Sequence, residues 1–129
     1  MAGAVAGLVS GVPSTLHALL TGRDPLAATR AAGSLVVPPT SPPGRLVAAG
    51  ALTHLMLSLG WGTVLSVALP RRRTVAWGTA AGLAIAALDL GVAGRRIPLV
   101  RALPPLPQLA DHVAFGAVAG AVLAIRRRP

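Results

Sequence analysis

The stretch LVAAGALTHLMLSLGWGTVLSVAL, residues 46–69, decides the architecture. No charged residue lies between Arg45 and Arg71, and Pro70 with Arg71, Arg72 and Arg73 closes the run. A helix rises 1.5 Å per residue, so about 20 apolar residues cross a hydrocarbon core of about 30 Å. A helix on the surface of a soluble domain keeps one polar face, and this segment has almost none.

The same reading extends to both sides. Residues 74–94 form a second uncharged run broken only by Asp89. Residues 2–21 are free of charge up to Arg23, with Gly3, Gly7 and Gly11 on one helical face and Pro13 expected to kink it. Such a glycine face lets a second helix approach closely. Residues 106–125 carry Asp111 and stop at Arg126, Arg127 and Arg128. Two proline-rich connectors separate these runs. Residues 22–45 hold Pro38, Pro39, Pro42 and Pro43, with room for a short interfacial helix at 26–37. Residues 95–105 follow the third run, and Pro98, Pro104, Pro105 and Pro107 stiffen that passage. The expected fold is therefore all-α: an integral membrane four-helix bundle in one transmembrane domain, residues 1–129. The competing count is three spans, with the first or last segment lying at the interface.

Composition agrees. Of 129 residues 53% are hydrophobic and 12% charged, and the mean hydropathy is +0.70. A soluble domain usually carries about 25% charged residues, because water must wet its surface. The net charge of +9 comes from arginine alone, since the chain has no Lys and no Glu. The arginines punctuate uncharged runs, as residues flanking membrane spans do. They neither stripe a helix nor interleave with aromatics, and no nucleic-acid-binding motif is present, so nucleic acid is not an expected partner. Cysteine is absent, which excludes disulfides, thiolate metal sites and cysteine nucleophiles. No basic segment precedes residues 2–9, so the first run reads as a retained span rather than a cleaved signal.

The two halves resemble each other. Gly3, Gly7 and Leu8 match Gly78, Gly82 and Leu83; His54, Ser58, Gly62, Val64 and Leu65 match His112, Gly116, Gly120, Val122 and Leu123 at identical spacing. A duplicated helical hairpin explains this, with both copies facing the same way about an axis along the membrane normal. Chance matching between Ala/Gly/Leu-rich helices is the alternative. Both arginine triplets must then lie on one side. Arginine counts on the two sides are equal, so they do not set the sign; termini on the cytoplasmic side are the favoured reading. Trp77 fits an interfacial anchor on that side.

Few strongly polar groups remain in or beside the spans: His17, His54, Ser58, Asp89, Asp111 and His112. Ionisable groups inside a membrane are expensive and invite a functional reading. Alternating spans place all six in the half nearest the connectors, with His54 deepest. His54, Asp89 and His112 are expected to converge there. A divalent metal, a proton relay or an anionic headgroup fits such a cluster, although no tight motif such as H-E-x-x-H is present. The plainer reading is polar glue between helices, with Asp111 capping the fourth span and Asp89 pairing Arg95 or Arg96. Gly78, Gly82, Gly116 and Gly120 join Gly3, Gly7 and Gly11 as packing positions. No G-x-S-x-G elbow and no phosphate-binding glycine loop occurs.

Segments such as GVPSTLHALLTGRDPLAAT and DLGVAGRRIP give the chain a style that resembles small multi-pass membrane proteins of high-GC actinobacteria. That group implies no activity and transfers no site residue. The expected function is a non-enzymatic accessory or scaffolding subunit without a cofactor. The alternatives are a small transporter or channel subunit and a membrane enzyme acting on lipid. Expected partners are the bilayer itself and either further copies of the chain or another membrane protein.

Overall fold

The computed structural model describes residues 1–127; Arg128, the last of the terminal triplet, lies outside them. All regular structure among the described residues is helical. The elements are α1 (Ala2–Ser10), α2 (Val12–Leu20), α3 (Ala27–Gly33), α4 (Pro43–Ala68), α5 (Thr74–Leu88), a π-helical turn (Asp89–Ala93), a 3-10 turn (Gly94–Arg96), α6 (Pro98–Arg101) and α7 (Pro105–Arg126). Four helical segments are long and apolar enough to cross a membrane: Ala2–Leu20, Pro43–Ala68, Thr74–Arg96 and Pro105–Arg126.

Local chemistry sets the boundaries. Pro13 has no N–H to offer the carbonyl of Val9, and the first span breaks into α1 and α2 at Gly11. Pro43 and Pro105 each stand in the first turn of a helix, where the missing N–H costs nothing. Between α4 and α5 the chain turns through Leu69, which is extended, to Arg73 at φ 54°. The hydroxyl of Thr74 donates back to the carbonyls of Pro70 and Arg71, at 2.9 and 3.0 Å, and ties this turn down.

Packing runs in the order α4, α1, α7, α5. The first hairpin closes where Gly3 and Gly7 meet Ser58 and Gly62: a Cβ on Gly7 would stand 2.6 Å from the Ser58 Oγ. The second closes where Gly78 and Gly82 meet Gly116, Gly120, His112 and Val113; a Cβ on Gly116 would stand 2.8 Å from the Gly82 nitrogen. These are the pairs that the sequence matches align. A Cβ on Gly3 would strike the carbonyl of Ser58 and the Cα of Gly62, and one on Gly78 the carbonyl of Gly116 and the Cα of Gly120. Gly11 departs from its expected packing role. Nothing lies within 4 Å of a Cβ built there, because the residue sits at the break between α1 and α2, where the helix face ends.

The hairpins join unequally. Small Ala2, Ala6 and Ser10 on α1 are buried beside α7, whose Phe115, Ala119 and Leu123 share their core. A two-fold relation between the hairpins would demand the same contact between α5 and α4. Those helices do not pack along their lengths. The alignment that pairs Gly3 with Gly78 places Trp77, Ala81 and Ile85 where α1 has Ala2, Ala6 and Ser10. It also places Trp61 on α4 where α7 has Ala119. Bulkier side chains thus stand at the places matching the alanines and serine that close the α1–α7 face: Ile85 is buried in the shared core, Trp61 packs against it, and Trp77 is exposed. Among the described residues no large side chain is fully buried, and Leu8 and Val67 stand 86% and 84% exposed, as lipid-facing residues do.

Candidate functional site: a polar end near the connectors

The connectors close one end of the bundle. The connector helix α3 folds back along the start of α4, where Gly33 and Gly50 face each other; a Cβ on either would stand 3.0 Å from the nitrogen of the other. A short contact between α3 and α6 brings the two connectors together. The opposite end is closed by Arg127, whose guanidinium donates to the carbonyls of Leu69, at 2.9 Å, and Ser66. A cation there meets the free carbonyls at the end of α4. Arg127 and the Arg71–73 turn thus share one end of the bundle, so successive spans alternate in direction.

Most of the polar side chains singled out in the sequence fasten one helix to another. The carboxylate of Asp111 accepts the N–H of Ser14 at 2.9 Å. Ser14 lies in the first turn of α2, whose N–H groups have no partner within the helix. Asp111 therefore caps α2, across the α1–α7 face, rather than its own helix, because α7 begins earlier, at Pro105. On α4, His54 reaches the carbonyl of Gly7 on α1 at 2.9 Å through Nε2. Ser58 is buried beneath it, against Gly3 and Gly7.

On α7, His112 uses both ring nitrogens. Its Nδ1 lies 2.8 Å from the carbonyl of Gln108 and its Nε2 lies 3.3 Å from Oδ2 of Asp89. A carbonyl only accepts, so Nδ1 carries a proton. The lone pair of Nε2 would then face a carboxylate oxygen, and a proton must sit between them. Asp89 takes this partner instead of Arg95 or Arg96 because its carboxylate leaves the helix toward α7, at the first residue of the π-helical turn.

The expected meeting of His54, Asp89 and His112 is only half made. Asp89 and His112 meet; His54 bonds the carbonyl of Gly7 on α1 and does not join them. Among the described residues, no three His or Asp side chains come together as a metal site. None of the buried side-chain nitrogens or oxygens among them lacks a partner.

His17 stands apart from this set. It lines a cleft of about 230 Å³ formed by α2, the following turn, the start of α3 and the α6–α7 passage. Ser14, Arg23, Asp24 and Gln108 line it too, with Ala, Leu and Pro residues as walls. Asp24 is ion-paired with Arg30 and accepts the N–H of Leu26 at 2.8 Å. The Arg30 guanidinium, then the Leu26 N–H, hold the Asp24 carboxyl below its ordinary value.

Sequence reasoning missed Gly33 and Gly50, the partner of Asp111, and Arg127 as a cap. The Ala-rich run around Gly33 was a readable sign of close packing. The other two contacts join residues far apart in the chain and leave no local pattern.

Fold and site together define an α-helical bundle, with four segments long and apolar enough to cross a membrane, held by glycine contacts and helix-to-helix polar bonds. No family model, curated protein or solved structure matches the chain.

Proposed function

We propose that the chain is a non-enzymatic, multi-pass membrane subunit that works as an accessory or scaffold through its helical surfaces. One observation carries this reading: the intramembrane polar groups are engaged in joining helices, as His54 to Gly7, Asp111 to Ser14 and His112 to Asp89. A transporter would turn such groups toward a water-filled path, and a lipid-directed enzyme would set a nucleophile or metal beside an opening. The two best-formed clefts are lined by neither His54 nor Asp89. The overall style of the sequence favours a bacterial cell membrane. Arginine counts on the two sides are equal, but both triplets abut span ends at one side, which we take as cytoplasmic with both termini. The bilayer and a further membrane protein or copy of the chain are the expected partners, with no role for nucleic acid.

The test uses the natural absence of cysteine. Ser58→Cys places one thiol beside His54 in the α1–α4 contact. A scaffold keeps that thiol from a membrane-impermeant maleimide in intact vesicles, and detergent unfolding releases it. Rapid labelling in intact vesicles, from either side, would favour the transporter reading.

A specific feature favours a second reading, a proton-handling site. Asp89 opens a π-helical turn, a form often found at functional positions. Proton uptake by the reconstituted protein, abolished in Asp89→Asn, would establish it.

A further inference from the structure

We infer that the cleft between the connectors binds a phosphate oxyanion, and that Arg23 is its principal ligand. The inference goes beyond the scaffold reading and does not depend on it.

The first argument is charge. The chain has three acidic residues, and each is engaged: Asp24 with Arg30, Asp89 with His112, Asp111 with the Ser14 N–H. Arg23 borders the cleft, is exposed, and pairs with no carboxylate among the described residues. Arg30 neutralises the nearby Asp24, so that pair does not cancel Arg23. Arg45, Arg95, Arg96 and Arg101 stand in or beside the same connectors. Their summed field draws anions to this end of the molecule.

The second argument is shape and chemistry. The cleft of about 230 Å³ has room for a phosphate group and a little more. Guanidinium offers paired donors in a plane that matches two phosphate oxygens, which an ammonium cannot do. His17 and Gln108 supply further donors on the adjoining walls. Ser14 and Asp24, the latter paired with Arg30, complete the polar lining. The remaining walls are Ala, Leu and Pro, suited to the glycerol and upper acyl carbons of a lipid. The cleft lies where the apolar length of α2 gives way to the connector, the level at which a phospholipid carries its headgroup.

A lipid phosphodiester and a free phosphate share this chemistry, and the test separates them. The full chain is purified in a neutral detergent, and its Tm is followed while phosphatidylglycerol, phosphatidylcholine or inorganic phosphate is added. Binding to the folded state raises Tm in proportion to occupancy. Phosphatidylglycerol is expected to raise it by a few degrees. Arg23→Gln is expected to weaken that binding about tenfold. Arg72→Gln, which alters an exposed arginine at the opposite end of the bundle, should leave it unchanged. A shift with inorganic phosphate alone assigns the site to a free anion; a shift only with phosphatidylglycerol assigns it to lipid. Equal losses in the two variants, or no shift with any addition, overturn the site. If Arg23→Gln proves poorly folded, Gln108→Ala and His17→Ala serve in its place, and retention of full binding in both overturns the site as well.

Discussion

At the scale of single residues, most of the polar groups were visible in the sequence and most of their partners were not. The rarity of His and Asp in apolar runs exposed His54, Asp89, Asp111 and His112. Their bonds depend on which helices become neighbours, and an isolated run of residues carries no record of that. Asp111 illustrates the point. Its position suggested a cap for its own helix, but its acceptor serves α2, because the break at Gly11 and Pro13 creates a second helix start in the middle of the first span. Asp111→Ala should therefore lower stability by about 1 kcal/mol, the usual worth of a helix cap. Asp111→Asn, which keeps an acceptor oxygen, should cost less. Reversible unfolding in mixed micelles measures both, and faster hydrogen exchange at the Ser14 amide should accompany the Ala variant alone. Equal stability of Asp111→Ala and the parent chain would remove the cap from the account. The Asp24–Arg30 pair has a defined pH sense. Its folded carboxyl value is lowered, so its contribution is present at neutral pH and is lost as pH falls through that lowered value. Asp24 is exposed, so the effect is read as local fraying of α3 in acid rather than as global unfolding.

At the scale of helices, the uncharged runs and the prolines between them made the spans legible, because hydrocarbon permits few alternatives to a continuous helix. Glycine spacing was a less complete guide. It marked Gly3, Gly7, Gly78, Gly82, Gly116 and Gly120 correctly as contact points, and it also marked Gly11, which touches nothing. Spacing assigns a residue to a face, but the face ends where the helix bends. Substitutions should separate these cases. Gly116→Leu inserts a branched side chain against the Gly82 nitrogen and should cost about 3 kcal/mol or more, since the backbones must separate. Gly11→Ala meets open space at an ordinary helical φ of −78°. It should leave stability unchanged or raise it by about 0.5 kcal/mol, through the less flexible unfolded chain. Unfolding midpoints of the two variants check this. A comparable loss in Gly11→Ala would mean that the break between α1 and α2 needs glycine for a reason other than space.

At the scale of the whole molecule, the two hairpins are built alike and joined asymmetrically, and this asymmetry can be tested. The sequence showed the likeness of the halves through His54 and His112 and the glycines around them. It suggested a two-fold relation that the packing keeps within each hairpin and breaks between them. Side-chain size differs at the matching places: Ala2, Ser10 and Ala119 where α1 settles on α7, and Trp77, Ile85 and Trp61 on α5 and α4. Polar positions follow the same correspondence. Ser14 and Asp111 join across the closed face; their counterparts by alignment are Asp89, which bonds His112 on α7, and Thr53 on α4, and no hydrogen bond joins those two. Paired cysteines in this cysteine-free chain can measure both faces. Ser14→Cys with Asp111→Cys should form an intramolecular disulfide readily, since the Asp111 carboxylate already reaches the Ser14 nitrogen and a bridge needs Cα atoms within about 7 Å. Asp89→Cys with Thr53→Cys should not form one under the same mild oxidation, because α4 and α5 stand apart. Mass spectrometry after alkylation reads the two results without any assay of activity. Replacing Trp61 and Trp77 with alanine in the Asp89→Cys, Thr53→Cys chain should let α4 and α5 approach and the second disulfide appear. If that disulfide forms while both tryptophans are in place, α4 and α5 already meet and bulky side chains are not what separates the halves.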